Sequence, residues 1–280
     1  MISRRSRTSC FLLFAPIFFC IISLTANAAE TQVLNIGGTG SALATMRLLG
    51  ADFERNNDIQ VNILPPIGTQ GGIIALQEGA LDLALVAQPV HLQEQQSDFV
   101  YRPYAKTAVA FVADPNCSLS NLSEQELVDI LRGSTRAWPE GQYIRLVMRS
   151  LNESDFIPVA EFSPALRDAL SAASQRKDIV FSATTQENAR MLLNLPGSLG
   201  ISSIAQIQSE HLALTTIAYN GVQPTLSHVQ DGSYPFSKTF ALIYPKQKFS
   251  GPLKLFVDYV FSANACAILE KNGQLCINSH

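Results

Sequence analysis

The sequence predicts an α/β fold of mostly parallel sheets arranged in two lobes. Three features carry that expectation. A strand, Gly-rich turn and helix occur twice between Val33 and Val90. Strands and helices then alternate along the rest of the chain. A break at Ala113-Asp114-Pro115-Asn116 marks where the chain leaves a first lobe to which it later returns.

The doubled unit is the most informative stretch. Val33-Leu34-Asn35-Ile36 is a short apolar strand, and Gly37-Gly38-Thr39-Gly40-Ser41 leads straight into a helix over Ala42–Glu54. Val61-Asn62-Ile63-Leu64, Ile67-Gly68-Thr69-Gln70-Gly71-Gly72 and a helix over Ile73–Glu78 repeat the plan. Leu81–Val86 is apolar enough for the interior of a parallel sheet. Two helix starts, with Ser41 and Thr69 beside them, therefore meet at one sheet edge. Unpaired N–H groups and the helix dipole make such an edge a site for a small anion.

The chain opens with a segment outside the fold. Arg4, Arg5 and Arg7 precede an apolar run from Cys10 to Leu24 and a small-residue cleavage site, Ala26-Asn27-Ala28, so residues 1–28 read as a signal peptide and the mature protein as periplasmic. These 28 residues carry three Arg and no acid, so their removal takes the formal charge from −3 to −6. An acidic chain without a basic run excludes nucleic acid and an anionic membrane surface as partners.

Of five cysteines, three lie in the mature chain. In an oxidising compartment Cys266 and Cys276 form the natural pair, with Cys117 left as a small buried thiol. No His stands near them at metal-ligand spacing, and neither a metal nor a cofactor is expected.

Beyond Val90, strands are expected at Phe99–Tyr104 and Thr107–Val112. Ser123 and Glu126 form a capping box for a helix to Leu131, closed by Gly133. A strand follows at Tyr143–Met148, then a polar loop, Arg149-Ser150-Leu151-Asn152-Glu153-Ser154-Asp155. Ser163-Pro164 opens a helix with Pro at its first position. Asp178–Ser182 is a short strand, and Thr184 with Glu187 caps a helix to Leu195. Strands follow at Gly200–Ser203, Leu212–Ala218 and Thr239–Tyr244, and one last helix at Pro252–Lys271, stopped by Gly273. The expected lobes are 29–114 with 215–280, and 115–214, joined by two crossing strands as a hinge. Trp138 and Tyr234-Pro235-Phe236 read as packing and turn residues. Gln70 and Gln88 are placed at the cleft mouth.

Taken in order, several of these stretches resemble the phosphate-type substrate-binding proteins of ABC importers (PstS-like), of the type 2 periplasmic binding protein fold. The carriers are Gly38-Thr39-Gly40-Ser41, Gly68-Thr69-Gln70-Gly71-Gly72-Ile73, Leu81-Asp82-Leu83-Ala84-Leu85-Val86-Ala87-Gln88-Pro89, Ile144–Arg149, Pro196-Gly197-Ser198-Leu199-Gly200 and Gly232-Ser233-Tyr234-Pro235-Phe236. The resemblance spans nearly the whole mature chain. It implies a monomer that closes over a small oxyanion-bearing ligand and delivers it to a membrane ABC permease. The same fold also serves sensor components that hand a ligand signal to a membrane protein. An enzyme is not expected: His91, His211, His228 and His280 lie in polar or loop contexts, and no G-x-S-x-G elbow occurs.

Carried over by position, the resemblance implies ligand contacts from Ser41, Ala42, Thr69 and Arg149, whose planar fork suits an oxyanion. Two positions depart from the family pattern. Ala87 replaces a polar or acidic residue that accepts the proton of hydrogen phosphate. Asn152-Glu153-Ser154-Asp155 replaces a Ser-Gly-Thr anion cradle. Three readings stand for this acidic loop: Glu153 or Asp155 replaces the lost acceptor; the ligand carries a donor or cation, as a phosphonate or zwitterion would; or the acids turn away, with Asp155 capping the next helix.

Overall fold

The computed structural model describes residues 32–87 and 98–277. The signal segment, Gln88, His91 and His280 lie outside the described residues. The chain begins β1 (Gln32–Gly38), α1 (Gly40–Glu54), β2 (Ile59–Ile63), α2 (Gly68–Gln77), β3 (Leu83–Val86), and β1 pairs in parallel with β2 on one side and β3 on the other. Gly38 makes the first turn possible. Its φ is 135°, and a Cβ there would stand 2.1 Å from the Leu85 carbonyl oxygen, so only glycine lets the strand end this close to β3.

The long β4 (Phe99–Ala113) follows as one strand where two were expected. The chain then runs β5 (Asn121–Leu122), α3 (Glu124–Arg132), β6 (Arg145–Met148), α4 (Ile157–Phe162), α5 (Pro164–Ser174), β7 (Val180–Phe181), α6 (Thr185–Asn194), β8 (Ser198–Ser203), α7 (Ile204–Ser209), β9 (Thr215–Tyr219) and α8 (Leu226–Gln230). It ends with β10 (Ser237–Pro245), α9 (Gly251–Val260), α10 (Ala263–Lys271) and β11 (Leu275–Cys276). Helices α3, α5 and α6 start at the expected caps: the hydroxyls of Ser123, Ser163 and Thr184 accept from the N–H of Glu126, Leu166 and Glu187.

The sheet order β2-β1-β3-β10-β4-β8-β6-β7 shows what joins the two halves. β4 pairs with β10 over Phe99–Ala108, and its other end, Val109–Ala113, pairs with β8 and β9. β6 lies parallel to both β7 and β8. Parallel βαβ units thus sit on either side, with antiparallel β10 and β4 between them.

Burial follows strand alternation. In β10, Phe240 and Leu242 enter a core with Leu43, Met46, Phe53 and Phe256, while Ala241 and Ile243 face Ile73 and Leu76 of α2 on the opposite side. A second core holds Phe111, Trp138, Leu146, Phe156, Ile217 and Phe236.

Two further expectations change. The final helix is two helices, α9 and α10, bent 57° apart, because Ser262 accepts from Ala265 N–H and so starts a new helix. The segment after Thr215, assigned from sequence to the first lobe, packs in the second core: Phe236 touches Phe111, Phe162, Tyr219 and Tyr234 with ring centroids 4.6–5.7 Å apart. We propose that the second lobe runs from Val109 to Phe236 and that the return crossing is β10.

Cys266 and Cys276 are disulfide-bonded, with Cα atoms 5.4 Å apart. The bond ties α10 to β11, which pairs with β4 at Lys106 and Ala105. Cys117 is a half-buried free thiol whose pKa burial raises.

Candidate functional site

Three helix starts converge on one cavity of about 290 Å³. Thr39 and Gly40 bring the start of α1, Pro66 to Gly68 the start of α2, and Ala183 to Thr185 the start of α6; Arg149 and Glu153 complete the wall. The first N–H groups of a helix have no acceptor within it. At α6 the Thr184 hydroxyl supplies one, and the Glu187 carboxylate takes the Ala183 N–H at 2.7 Å. The N-cap residues of α1 and α2, Thr39 and Ile67, make no side-chain cap bond, and neither first turn holds an acid. These two ends leave their positive dipole ends facing the cavity.

Arg149 follows directly on β6 and is 8 % exposed. Its Nη2 stands 3.0 Å from Glu153 Oε1, its Nη1 donates to Thr185 Oγ1 at 3.3 Å, and its Nη2 to the Ala183 carbonyl at 3.4 Å. Nε is buried and has no partner among the described residues. The two Nη atoms carry four N–H donors and make three contacts, so the fork keeps donor capacity beside the cavity that Arg149 lines. Gln186 spans the cleft, its Nε2 donating to the Gly40 carbonyl at 3.3 Å.

A second cluster lies beside this one. Lys238, on β10, is buried, and its Nζ reaches Asp155 Oδ1 at 2.5 Å, Ser41 Oγ at 2.9 Å and Ser154 Oγ at 3.4 Å. Three donors meet three acceptors, as a buried ammonium requires. Nζ also lies 5.2 Å from the Phe240 ring centroid, within cation–π range. Burial pulls the Lys238 pKa below the ordinary lysine value, against the opposing pull of the Asp155 carboxylate. A smaller cavity of about 160 Å³, lined in part by Ala87, Ser154 and Lys238, adjoins the cluster.

The residues expected at the site separate accordingly. Arg149 and Glu153 line the large cavity. Ser41 is buried at the start of α1, with its hydroxyl turned to Lys238. The Ala42 N–H donates to the Thr39 carbonyl at 3.2 Å. Thr69 accepts from the Ala87 N–H at 3.4 Å, and the cavity wall there is Gly68. Asn152 is exposed, Ser154 lines the small cavity, and Asp155 is buried against Lys238. Asp155 is not a helix cap: α4 is preceded by Phe156 in helical geometry, with no side-chain cap bond. Among the described residues no His/Cys/Asp/Glu group is arranged to hold a metal.

Sequence reading missed Lys238. Its signal lay in strand phase: Lys238, Phe240, Leu242 and Tyr244 alternate, and the last three are buried. A lysine in the inward phase of an apolar strand needs an acid partner, and Asp155 is that acid.

Two α/β lobes on crossing strands, with helix starts of both lobes around a buried arginine, define the type 2 periplasmic-binding-protein class. A family model described as "PBP superfamily domain" matches residues 25–264, and the chain belongs to that family. It is 23 % identical over 276 residues to the phosphate-binding protein PstS of Bacillus subtilis (strain 168), covering 90 % of this chain and 87 % of that protein. The phosphate-binding protein PstS of Borreliella burgdorferi is 19 % identical over 273 residues, covering 94 % and 98 %. Among solved structures, a Clostridium perfringens protein with bound phosphate has a TM-score of 0.74 at 18 % identity, covering 88 % of this chain and all of the other, a likeness of fold.

Proposed function

We propose that this protein is a periplasmic, monomeric solute-binding protein, exported by its signal segment, that captures phosphate or a phosphate-like oxyanion between its lobes and presents it to a membrane ABC permease. The observation behind this reading is the buried Arg149 guanidinium lining the same cavity as two helix starts that lack side-chain caps. Donors from both lobes would then converge on the ligand, so binding favours the closed arrangement that a permease reads. The two phosphate-binding relatives support the same ligand class.

Within this reading the two acids have different duties. Asp155 is committed to Lys238. Glu153 alone lines the large cavity, 38 % exposed and paired with Arg149. Glu153 is therefore the acceptor for a protonated oxygen of the ligand, replacing the polar residue that Ala87 does not supply. Binding transports and catalyses nothing by itself, so no reaction is assigned.

Thermal unfolding of the mature protein with and without phosphate tests the ligand class. A ligand at about 100 times its Kd stabilises the folded state by about 2.7 kcal/mol. A phosphate-dependent rise in Tm, absent with chloride at equal ionic strength, is the expected result. No rise at any phosphate concentration would remove phosphate from the proposal.

A further inference from the structure

Taking the cleft as an oxyanion site, as proposed above, we infer that Asp155 is its specificity-determining residue: a resident carboxylate that occupies Lys238 and so restricts the site to ligands of low negative charge.

Lys238 rises from β10 to the start of α1 and meets Ser41 there, within two residues of Thr39 and Gly40 at the large cavity. It is thus a cation placed where it would otherwise add to Arg149. All three of its donors are taken, by Asp155, Ser41 and Ser154, and each of those residues is itself more than nine-tenths buried. Its charge is matched locally by Asp155 in a medium that screens poorly.

The second pair limits the remaining charge. Arg149 shares its fork with Glu153. The groups facing Lys238 are Asp155, Arg149 and Glu153, with Glu161 along the small cavity. Apart from the exposed Glu161, two cations and two carboxylates thus stand at the cleft before any ligand enters. A singly charged oxyanion is met by the Arg149 fork and the two helix starts, and its proton by Glu153. A doubly charged anion brings one more negative charge against Asp155 and Glu153 without gaining a further free cation.

Ser41 takes part in the same arrangement. An ammonium has no acceptor, so Ser41 Oγ accepts from Lys238. The hydroxyl proton then points elsewhere, with Thr39 Oγ1 at 3.4 Å as its nearest partner among the described residues.

The test compares two tetrahedral anions by calorimetry at about pH 5, where phosphate is chiefly singly charged and sulfate carries two charges. The native protein is expected to prefer phosphate over sulfate by about tenfold or more. Asp155→Asn frees the Lys238 charge and is expected to tighten sulfate by about tenfold or more. The neutral pair Lys238→Met with Asp155→Leu frees no charge and gives no such gain. An unchanged sulfate affinity in Asp155→Asn overturns the inference, as does an equal gain in the neutral pair.

Asp155→Asn leaves a buried cation unpaired and can unfold the protein, so its folding is followed by circular dichroism. Refolding by sulfate but not by an equal concentration of phosphate upholds the inference, and refolding by both alike, or an unfolded chain in saturating sulfate, overturns it. Sulfate binding by Asp155→Asn while the native protein binds neither anion would uphold the role of Asp155 and remove the native oxyanion reading. Binding of neither anion by either protein removes both.

Discussion

Arg149 Nη2 and Glu153 Oε1 stand 3.0 Å apart on the wall of the large cavity, one residue buried and the other partly open to solvent. The pair gives the site a donor fork and an acceptor side by side, the combination that distinguishes a protonated oxyanion from one without protons. Glu153→Gln keeps the shape and removes the charge. It is expected to weaken phosphate binding at neutral pH by about tenfold, the usual cost of losing a charged hydrogen-bond acceptor. Arg149 is buried and keeps only Thr185 and the Ala183 carbonyl once its carboxylate partner is neutral, so the Tm of the ligand-free protein is expected to fall. Calorimetry and a thermal scan of the same preparation check both parts.

The Arg149 fork is expected to be irreplaceable by lysine. Arg149→Lys keeps one positive charge but presents a point charge without the planar fork that meets Thr185, the Ala183 carbonyl and Glu153. Its phosphate affinity should fall by about tenfold or more, the value of one charged hydrogen bond. A titration matching the native curve would mean that charge alone, without fork geometry, holds the ligand.

The disulfide should matter for stability alone. Cys266 and Cys276 close a short loop between α10 and β11, far along the chain from Arg149 and the helix starts. A loop of this size is worth about 3 kcal/mol through the unfolded state. Cys266→Ser should lower the unfolding free energy by about that amount in urea and leave phosphate affinity unchanged.

Acid should destabilise the fold through surface carboxylates held below their ordinary range. Hydrogen bonds from Arg176 and Tyr143 hold the Asp178 carboxyl well down, and Tyr259 with Arg55 lowers Asp52. A carboxylate with a depressed folded pKa contributes stability above its unfolded value of about 3.9, and that contribution is lost as pH falls through the folded value. Unfolding free energy should therefore drop below about pH 4. Asp178→Asn should flatten that limb and lower stability at neutral pH, which urea titrations across pH would read.

Much of this molecule is legible in its sequence. The doubled strand–turn–helix unit, the caps at Ser123, Ser163 and Thr184 and the cystine pair depend on local chemistry, and each stands as expected. The split of the last helix at Ser262 is local too, but an apolar face continuing through Phe261 hid the cap. The site was harder because it is assembled across lobes. Arg149 and Glu153 sit four residues apart and read as one loop, whereas Asp155 and Lys238 are 83 residues apart and meet only in three dimensions. Without Lys238, Asp155 looked like a ligand contact or a helix cap, and Ser41 like a hydroxyl turned to the ligand. Tyr234 and Phe236 enter the second core for a similar reason: Phe236 meets Phe111 and Phe162, and the Tyr234 hydroxyl donates to the Val109 carbonyl, all from distant parts of the chain.

The most direct measurement is calorimetric titration of phosphate into the mature protein, freed of ligand by unfolding and refolding, alongside Arg149→Ala at neutral pH. Saturable one-to-one heat from the native protein and none from a folded Arg149→Ala is the predicted result. Equal binding by both proteins, or no heat from the native one, would contradict the assignment of this cavity to an oxyanion.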